Sequence, residues 1–130
     1  MRSHQASHYG AKHDPMKKEF QHFVWQRTWF VEQFAKLLAK LAARPEGNGT
    51  MLDHTVLLLC TEVSDGNTHL HHDMPMVVAG GAGGAIPGGR LLQFDNHRHG
   101  DLLAGLCHAM GEKVAGYGQQ SSGPLPGLLG

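Results

Sequence analysis

A long stretch with apolar residues at spacings of three and four dominates the first third of the chain. It follows Asp14, a good N-cap, and Pro15, which suits a first helical turn, and it ends before Pro45. Its apolar positions are Phe20, Phe23, Val24, Phe30, Val31, Phe34, Leu37, Leu38 and Leu41. This spacing predicts one helix of about 30 residues with a single buried face. Such a length is unusual in a globular domain, and a helix with so long an apolar face needs a large surface to pack against.

Two short apolar runs follow the helix and predict strands that are buried on both faces. The first is HTVLLLCT, residues 54–61, and the second is PMVVAG, residues 75–80. RLLQF, residues 90–94, is a candidate third strand. GDLLAGLCHAMG, residues 100–111, has the spacing of a second helix that ends at its final glycine. The order of helix, strand, loop, strand, glycine-rich loop and helix predicts an α/β fold.

This set of elements is too small to bury its own strands. Two or three buried strands need neighbours at both edges and layers on both faces, which a single long helix does not supply. The 130 residues are therefore predicted to form a single domain, 1–130, that is the C-terminal portion of a larger α/β domain. The expected partner is the missing N-terminal part of that domain, or a second copy of the chain that covers the apolar edges.

Charge and composition argue against several classes of protein. Lys plus Arg and Asp plus Glu both number 11, so the formal net charge of zero argues against binding to nucleic acid. No stretch reaches the ~18 apolar residues of a membrane span, and residues 1–10 lack the apolar core of a signal peptide. Cys60 and Cys107 are predicted to be small buried apolar residues, and the sequence leaves open whether they form a disulfide.

The segment between the two predicted strands carries most of the candidate chemistry. In EVSDGNTHLHHDMP, residues 62–75, Glu62 directly follows the first strand, where open α/β sheets bind their ligands. His69 and His72 follow in the same loop. Carboxylate oxygen and imidazole nitrogen suit Zn²⁺, Mn²⁺ or iron, and a metal held by them can polarise a phosphoryl or sulfuryl oxygen. The residues alone leave three interpretations open: a metal site, an acid–base cluster and a polar surface loop.

A second histidine cluster lies near the N-terminus, in HQASHYG, residues 4–10. His4 and His8 are four residues apart and share one face if the segment is helical, so they are candidate metal ligands. Ser7 is a candidate nucleophile, although no neighbour in the sequence marks it as activated. A solvated terminus without a function is the alternative interpretation.

Four stretches in a fixed order resemble one protein family. They are residues 4–10, 52–84, 99–111 and 117–130, and the first is similar to an HXXSHH signature with Tyr9 in place of the final histidine. Together they resemble the C-terminal part of the HXXSHH-motif group of uncharacterised exported bacterial proteins. That group is more distantly similar to the alkaline phosphatase and sulfatase superfamily.

The resemblance implies a partial alkaline-phosphatase-like α/β sandwich with a long helix, two or three buried strands and a C-terminal helix. It also implies a divalent metal, which is zinc, manganese or calcium, with Glu62 and His69 or His72 as ligands and His4 and His8 from a separate segment. The implied activity is that of a metal-dependent phosphoric or sulfuric ester hydrolase, catalytically incomplete here because the superfamily's nucleophile lies further towards the N-terminus. The implied location is periplasmic or extracellular. The alternative is a non-enzymatic metal- or partner-binding module.

Overall fold

The structure, a computed structural model, describes residues 1–10 and 13–130. Its elements in chain order are α1 (Ser3–Ser7), α2 (Lys18–Ala42), β1 (Pro45–Glu46), β2 (Gly49–Thr50), β3 (Leu57–Leu59), β4 (Val77–Ala79), a 3-10 turn (Ala82–Gly84) and α3 (His99–Ala109). Helices and small sheets together make the chain mixed α/β, as the sequence predicts. None of the described helices combines the length and the apolar character that crossing a membrane requires.

The chain divides into two compact units, and each is made of two separate stretches. Unit 1 comprises Met1–Lys40 and Leu58–Val78, and unit 2 comprises Leu41–Leu57 and Ala79–Gly130. Unit 1 therefore holds α1, nearly all of α2 and the loop between β3 and β4. Unit 2 holds the β1–β2 hairpin, the glycine-rich segment and α3.

The long helix forms where the sequence predicts it, but its predicted buried face is wrong. Asp14 accepts a hydrogen bond from the backbone N–H of Met16 at 2.9 Å, so a turn at Asp14 precedes the helix. No residue of α2 is buried, and its apolar residues Val24, Phe30, Val31 and Leu37 are between 45% and 53% exposed. Apolar spacing is enough to specify a helix, whereas burial also needs a facing surface. The described part of unit 1 covers only part of the helix.

The strands are shorter and less buried than the sequence predicts. β3 and β4 form a two-stranded sheet whose residues are half-exposed or exposed, and Val77 is 50% exposed. The prediction of strands buried on both faces is therefore wrong. Residues 90–94 form no strand, and Leu91 is 97% exposed. A two-stranded sheet leaves both edges and much of its faces in contact with solvent, so its apolar side chains stay accessible.

The two cysteines are both free thiols. Cys60 lies just after β3 and is exposed, so its predicted burial is wrong. Cys107 lies in α3 and is half-buried, which is closer to the prediction.

Unit 2 is organised around the Asp101 carboxylate in the first turn of α3. One oxygen accepts hydrogen bonds from the Arg98 backbone N–H at 3.0 Å and from His97 Nδ1 at 3.2 Å, and the other accepts from the Ser122 N–H at 2.8 Å. The backbone N–H groups of Arg98 and Ser122 lower the pKa of Asp101 far below its ordinary range. Asp101 is only 1% exposed, so its charge is stabilised by these donors rather than by water.

The C-terminal tail packs against α3 and completes the core of unit 2. The backbone N–H of Leu125 donates to the carbonyl oxygen of Asp101 at 3.1 Å, and both Leu125 and Leu128 are buried. A Cβ atom at Gly105 would lie 2.5 Å from Leu128 Cδ2, so a larger residue there would displace the end of the Leu128 side chain. The tail is thus held along the helix by side-chain and backbone contacts.

Candidate functional site

The loop between β3 and β4 is organised around the side chain of Asp65. Its Oδ1 accepts hydrogen bonds from the backbone and side-chain N–H groups of Asn67, both at 3.1 Å, and its Oδ2 accepts from the Thr68 hydroxyl at 2.5 Å. The Ser64 N–H donates to the Leu70 carbonyl at 2.8 Å and closes the loop. The Thr68 hydroxyl, followed by the Asn67 N–H, lowers the pKa of Asp65, so its carboxylate is charged near neutral pH.

Asn67 joins this loop to the N-terminal segment. Its Oδ1 accepts a hydrogen bond from the Gly10 N–H at 2.7 Å, and its Nδ2 donates to the Gly10 carbonyl at 3.1 Å. Buried Gly66 lies against Ser7, and a Cβ atom at position 66 would be 2.6 Å from the Ser7 carbonyl oxygen. The N-terminal segment is therefore fixed to the loop by two hydrogen bonds and by a contact that only glycine allows.

Tyr9 anchors the same segment to α2. It is 6% exposed, and its ring lies 5.2 Å from the ring of Phe20 and 5.0 Å from that of Phe23, measured between centroids. Burial raises the pKa of Tyr9, and the charge of Asp65 and a hydrogen bond to it add to the rise. At the position where the resemblance places a histidine, this chain has an aromatic anchor with a polar tip.

These contacts bring three imidazole rings together, which we call the histidine row: His4, His8 and His69. The ring centroids of His4 and His8 are 4.8 Å apart, with an angle of 71° between the rings. Those of His8 and His69 are 5.3 Å apart, with an angle of 75°. All three residues are exposed. Two segments that are distant in the sequence thus contribute neighbouring imidazole rings.

His69 has a strained backbone conformation. Its φ of 55° lies in the left-handed region, which costs a non-glycine residue about 1–2 kcal/mol. The hydrogen bond between Ser64 and Leu70 closes the loop on either side of His69 and holds it there. Strain of this kind is often found at functional positions, because the surrounding contacts hold one side chain in a required place.

The other two predicted ligands do not join the row. Glu62 and His72 are both exposed, and within residues 1–10 and 13–130 neither makes an ion pair or a ring contact with the row. In the same described residues, no group of three His, Cys, Asp or Glu side chains is already arranged to hold a metal ion. The rings of the row meet edge to face, at angles of 71° and 75°.

Ser7, the candidate nucleophile, lies next to the row but is engaged with the backbone. Its hydroxyl donates a hydrogen bond to the His4 carbonyl at 2.8 Å. A serine is activated when an imidazole or another base accepts its proton, and a carbonyl oxygen does not serve this purpose. In this arrangement Ser7 contributes to packing against Gly66 rather than to nucleophilic chemistry.

Sequence reasoning missed Asp65, Asn67 and Tyr9, which position the row. The tripeptide at residues 65–67, Asp-Gly-Asn, is a strong turn signal, and it identifies the local hydrogen bonds of Asp65. No local sequence pattern predicts the contact between Asn67 and Gly10, because the two residues are 57 positions apart in the chain.

No protein-family model, curated protein or solved structure matches this chain. The resemblance to the HXXSHH-motif group therefore rests on the four quoted stretches alone, and the location and activity that it implies stay predictions.

Proposed function

We propose that the histidine row binds a divalent metal ion and that the chain is a metal-binding, hydrolase-like protein. The observation that carries the proposal is the meeting of His4, His8 and His69 at ring distances of 4.8 and 5.3 Å. Imidazole nitrogen is a preferred ligand of zinc, whereas calcium prefers oxygen ligands. The donor set therefore favours zinc over manganese and calcium, which prefer oxygen ligands.

We propose that rotation of the side chains brings the row into a three-histidine site. Its backbone is already fixed by the hydrogen bonds between Asn67 and Gly10 and by the contact between Gly66 and Ser7. The three imidazoles are exposed, so each can change rotamer without displacing a packed neighbour. Zinc–nitrogen bonds of about 2.0–2.1 Å require the donor nitrogens to approach one common point. The proposal therefore requires the three rings to rotate when a metal binds.

Glu62 and His72 remain proposed as additional ligands. Both are exposed in the loop that contributes His69, and a carboxylate or a fourth imidazole would complete a four-coordinate site. A bound metal supplies Lewis acidity towards a phosphoryl or sulfuryl oxygen. The tasks of this chain are to hold the imidazoles in place through Asp65 and Asn67 and to anchor the N-terminal segment through Tyr9. We also propose the alkaline-phosphatase-like sandwich fold that the resemblance implies.

A non-enzymatic metal-binding module is the second candidate. It is favoured by the Ser7 hydroxyl, which donates to a carbonyl oxygen at 2.8 Å and is therefore not activated. The hydrolase and the metal-binding module share the metal site, and they differ in whether the chain hydrolyses an ester. Hydrolysis of p-nitrophenyl phosphate or p-nitrophenyl sulfate by the zinc-loaded chain, lost in His8→Ala, supports the hydrolase, whereas zinc binding without turnover supports the module.

Calorimetric titration with zinc tests the shared part of the proposal. We expect micromolar affinity for the unaltered chain and a loss of about tenfold or more in His8→Ala, since His8 is the middle ring of the row. His71→Ala is the matched control, because His71 is an exposed histidine of the same loop without a ring contact to the row among the described residues. Absence of zinc binding, or equal affinity in His8→Ala, would overturn the proposal.

A further inference from the structure

One exposed face of α2 forms an apolar groove of about 430 Å³. Its lining includes Val24, Arg27, Thr28, Val31, Glu32 and Ala35. Val24 is 45% exposed and Val31 is 53% exposed, so the chain itself leaves this face accessible to solvent. An accessible apolar face on a helix with no buried residue is a candidate docking surface.

The spacing of the lining residues is that of a coiled-coil seam. Val24, Thr28, Val31 and Ala35 follow one another at intervals of four, three and four, which is the alternation of the a and d positions of a heptad. Arg27 then falls at a g position and Glu32 falls at an e position.

The same residues form two consecutive knob holes. In a parallel two-stranded coiled coil, a side chain of one helix inserts between four residues of the other, at positions i, i+3, i+4 and i+7. The first hole is formed by Val24, Arg27, Thr28 and Val31. The second hole shares Thr28 and Val31 and is completed by Glu32 and Ala35. These residues supply the holes that the side chains of a second α2 helix would fill.

We infer that a second copy of this chain packs in parallel against the groove, with the two α2 helices as the interface. A second copy fits the groove by charge complementarity. Arg27 and Glu32 are five residues apart on opposite flanks of the seam, which are the g and e positions that pair between parallel helices. Two-fold symmetry places Arg27 of each copy beside Glu32 of the other, so two ion pairs form at once.

Both charges are available for this pairing. Within the described ranges, neither Arg27 nor Glu32 makes an ion pair in its own chain. The Arg27 guanidinium carbon lies 4.8 Å from the Phe23 ring centroid and 6.0 Å from that of Phe30, at the rim of the groove. The seam is about two heptads long and includes a polar Thr28, so the dimer forms reversibly.

Sedimentation equilibrium over a concentration series tests the inference with charge exchange. We expect a reversible dimer whose dissociation constant rises about tenfold in Arg27→Glu and in Glu32→Arg, because each change places like charges side by side at two sites. The double variant restores the pairs with their signs exchanged and returns the dissociation constant to near its original value. Lys36→Glu, an equal charge change away from the seam, leaves the constant unchanged, and circular dichroism confirms that each variant keeps its helices.

Cysteine cross-linking tests the orientation. With Cys60 and Cys107 replaced by serine, Thr28→Cys places two thiols opposite each other in a parallel dimer, and oxidation is expected to link them. In an antiparallel pair, Thr28 faces a d position instead and no link forms. A chain that stays monomeric at every concentration, a dimer that Arg27→Glu leaves unchanged, or a Thr28→Cys dimer that does not cross-link would each overturn the inference.

Discussion

The side chain of Asn67 and the backbone of Gly10 are joined by two hydrogen bonds. The Gly10 N–H donates to Asn67 Oδ1 at 2.7 Å, and Asn67 Nδ2 donates to the Gly10 carbonyl oxygen at 3.1 Å. This pair of bonds joins the N-terminal histidines to the loop that contributes His69. It connects segments 57 residues apart, and it explains how imidazoles from the two separate stretches of unit 1 become neighbours. The proposed metal site therefore depends on this contact as well as on its ligands.

Asn67→Ala is expected to separate the N-terminal segment from the loop. Loss of the two part-buried hydrogen bonds should lower the free energy of unfolding by about 1–2 kcal/mol and speed hydrogen exchange at the Gly10 amide. Zinc affinity should fall although no ligand is removed. The measurement is hydrogen exchange followed residue by residue. Unchanged protection of Gly10 would show that other contacts hold the segment.

Gly66→Ala is expected to destabilise the chain by about 1–3 kcal/mol, because the added Cβ would lie 2.6 Å from the Ser7 carbonyl oxygen. Chemical denaturation measures the change. Gly88→Ala is the matched control, since a Cβ there has no described atom within 4 Å and the backbone is not in the left-handed region. Equal stability of the two variants would contradict the close contact between the loop and the N-terminal segment.

Two substitutions of His69 separate its backbone strain from its proposed role as a ligand. Asparagine tolerates the left-handed conformation at φ 55°, whereas β-branched valine does not. We expect His69→Val to be less stable than His69→Asn by about 1–2 kcal/mol, while both lose zinc affinity to a similar extent. Thermal unfolding and zinc titration measure the two effects. If the variants are equally stable, the conformation of residue 69 is not under the constraint described.

The Asp101 carboxylate should make the stability of the chain sensitive to acid. Its pKa is lowered in the folded state by the Arg98 and Ser122 N–H groups, so folding favours its charged form. The resulting stability is fully present above the unfolded pKa of about 3.9 and is lost as the pH falls below it. Asp101→Asn lacks this contribution. The difference in melting temperature between the two proteins should shrink as the pH falls from about 5 to about 2. A constant difference would contradict the assignment.

Helices were predictable from the sequence because their signal is local. The spacing of apolar residues predicts α2 and α3 to within about one turn of their observed ends. The capping contact between Asp101 and the Arg98 backbone is also local, since it joins residues three apart. Burial was not predictable in this way. The face of α2 with Val24 and Val31 has the pattern of a packed surface, but the described part of unit 1 offers too little structure to cover it.

The predicted burial of the strands was wrong for a related reason. LLL in β3 and VVA in β4 have the composition of buried strands, and burial requires further strands and covering layers that two strands do not supply. The candidate site was partly accessible from the sequence. The sequence names His4, His8, Glu62, His69 and His72 as candidate ligands. The structure places the rings of His4, His8 and His69 next to one another, and the described ring contacts do not include His72. The long-range contact of Asn67 with Gly10 could be found only in three dimensions.

Nitrogen NMR of the histidine side chains during a zinc titration tests the central claim most directly. The account predicts that the ring nitrogens of His4, His8 and His69 shift together and stop shifting at one equivalent of zinc, while those of His71 keep their positions. Shifts distributed evenly over all the histidines, or no shifts in the histidine row, would contradict it.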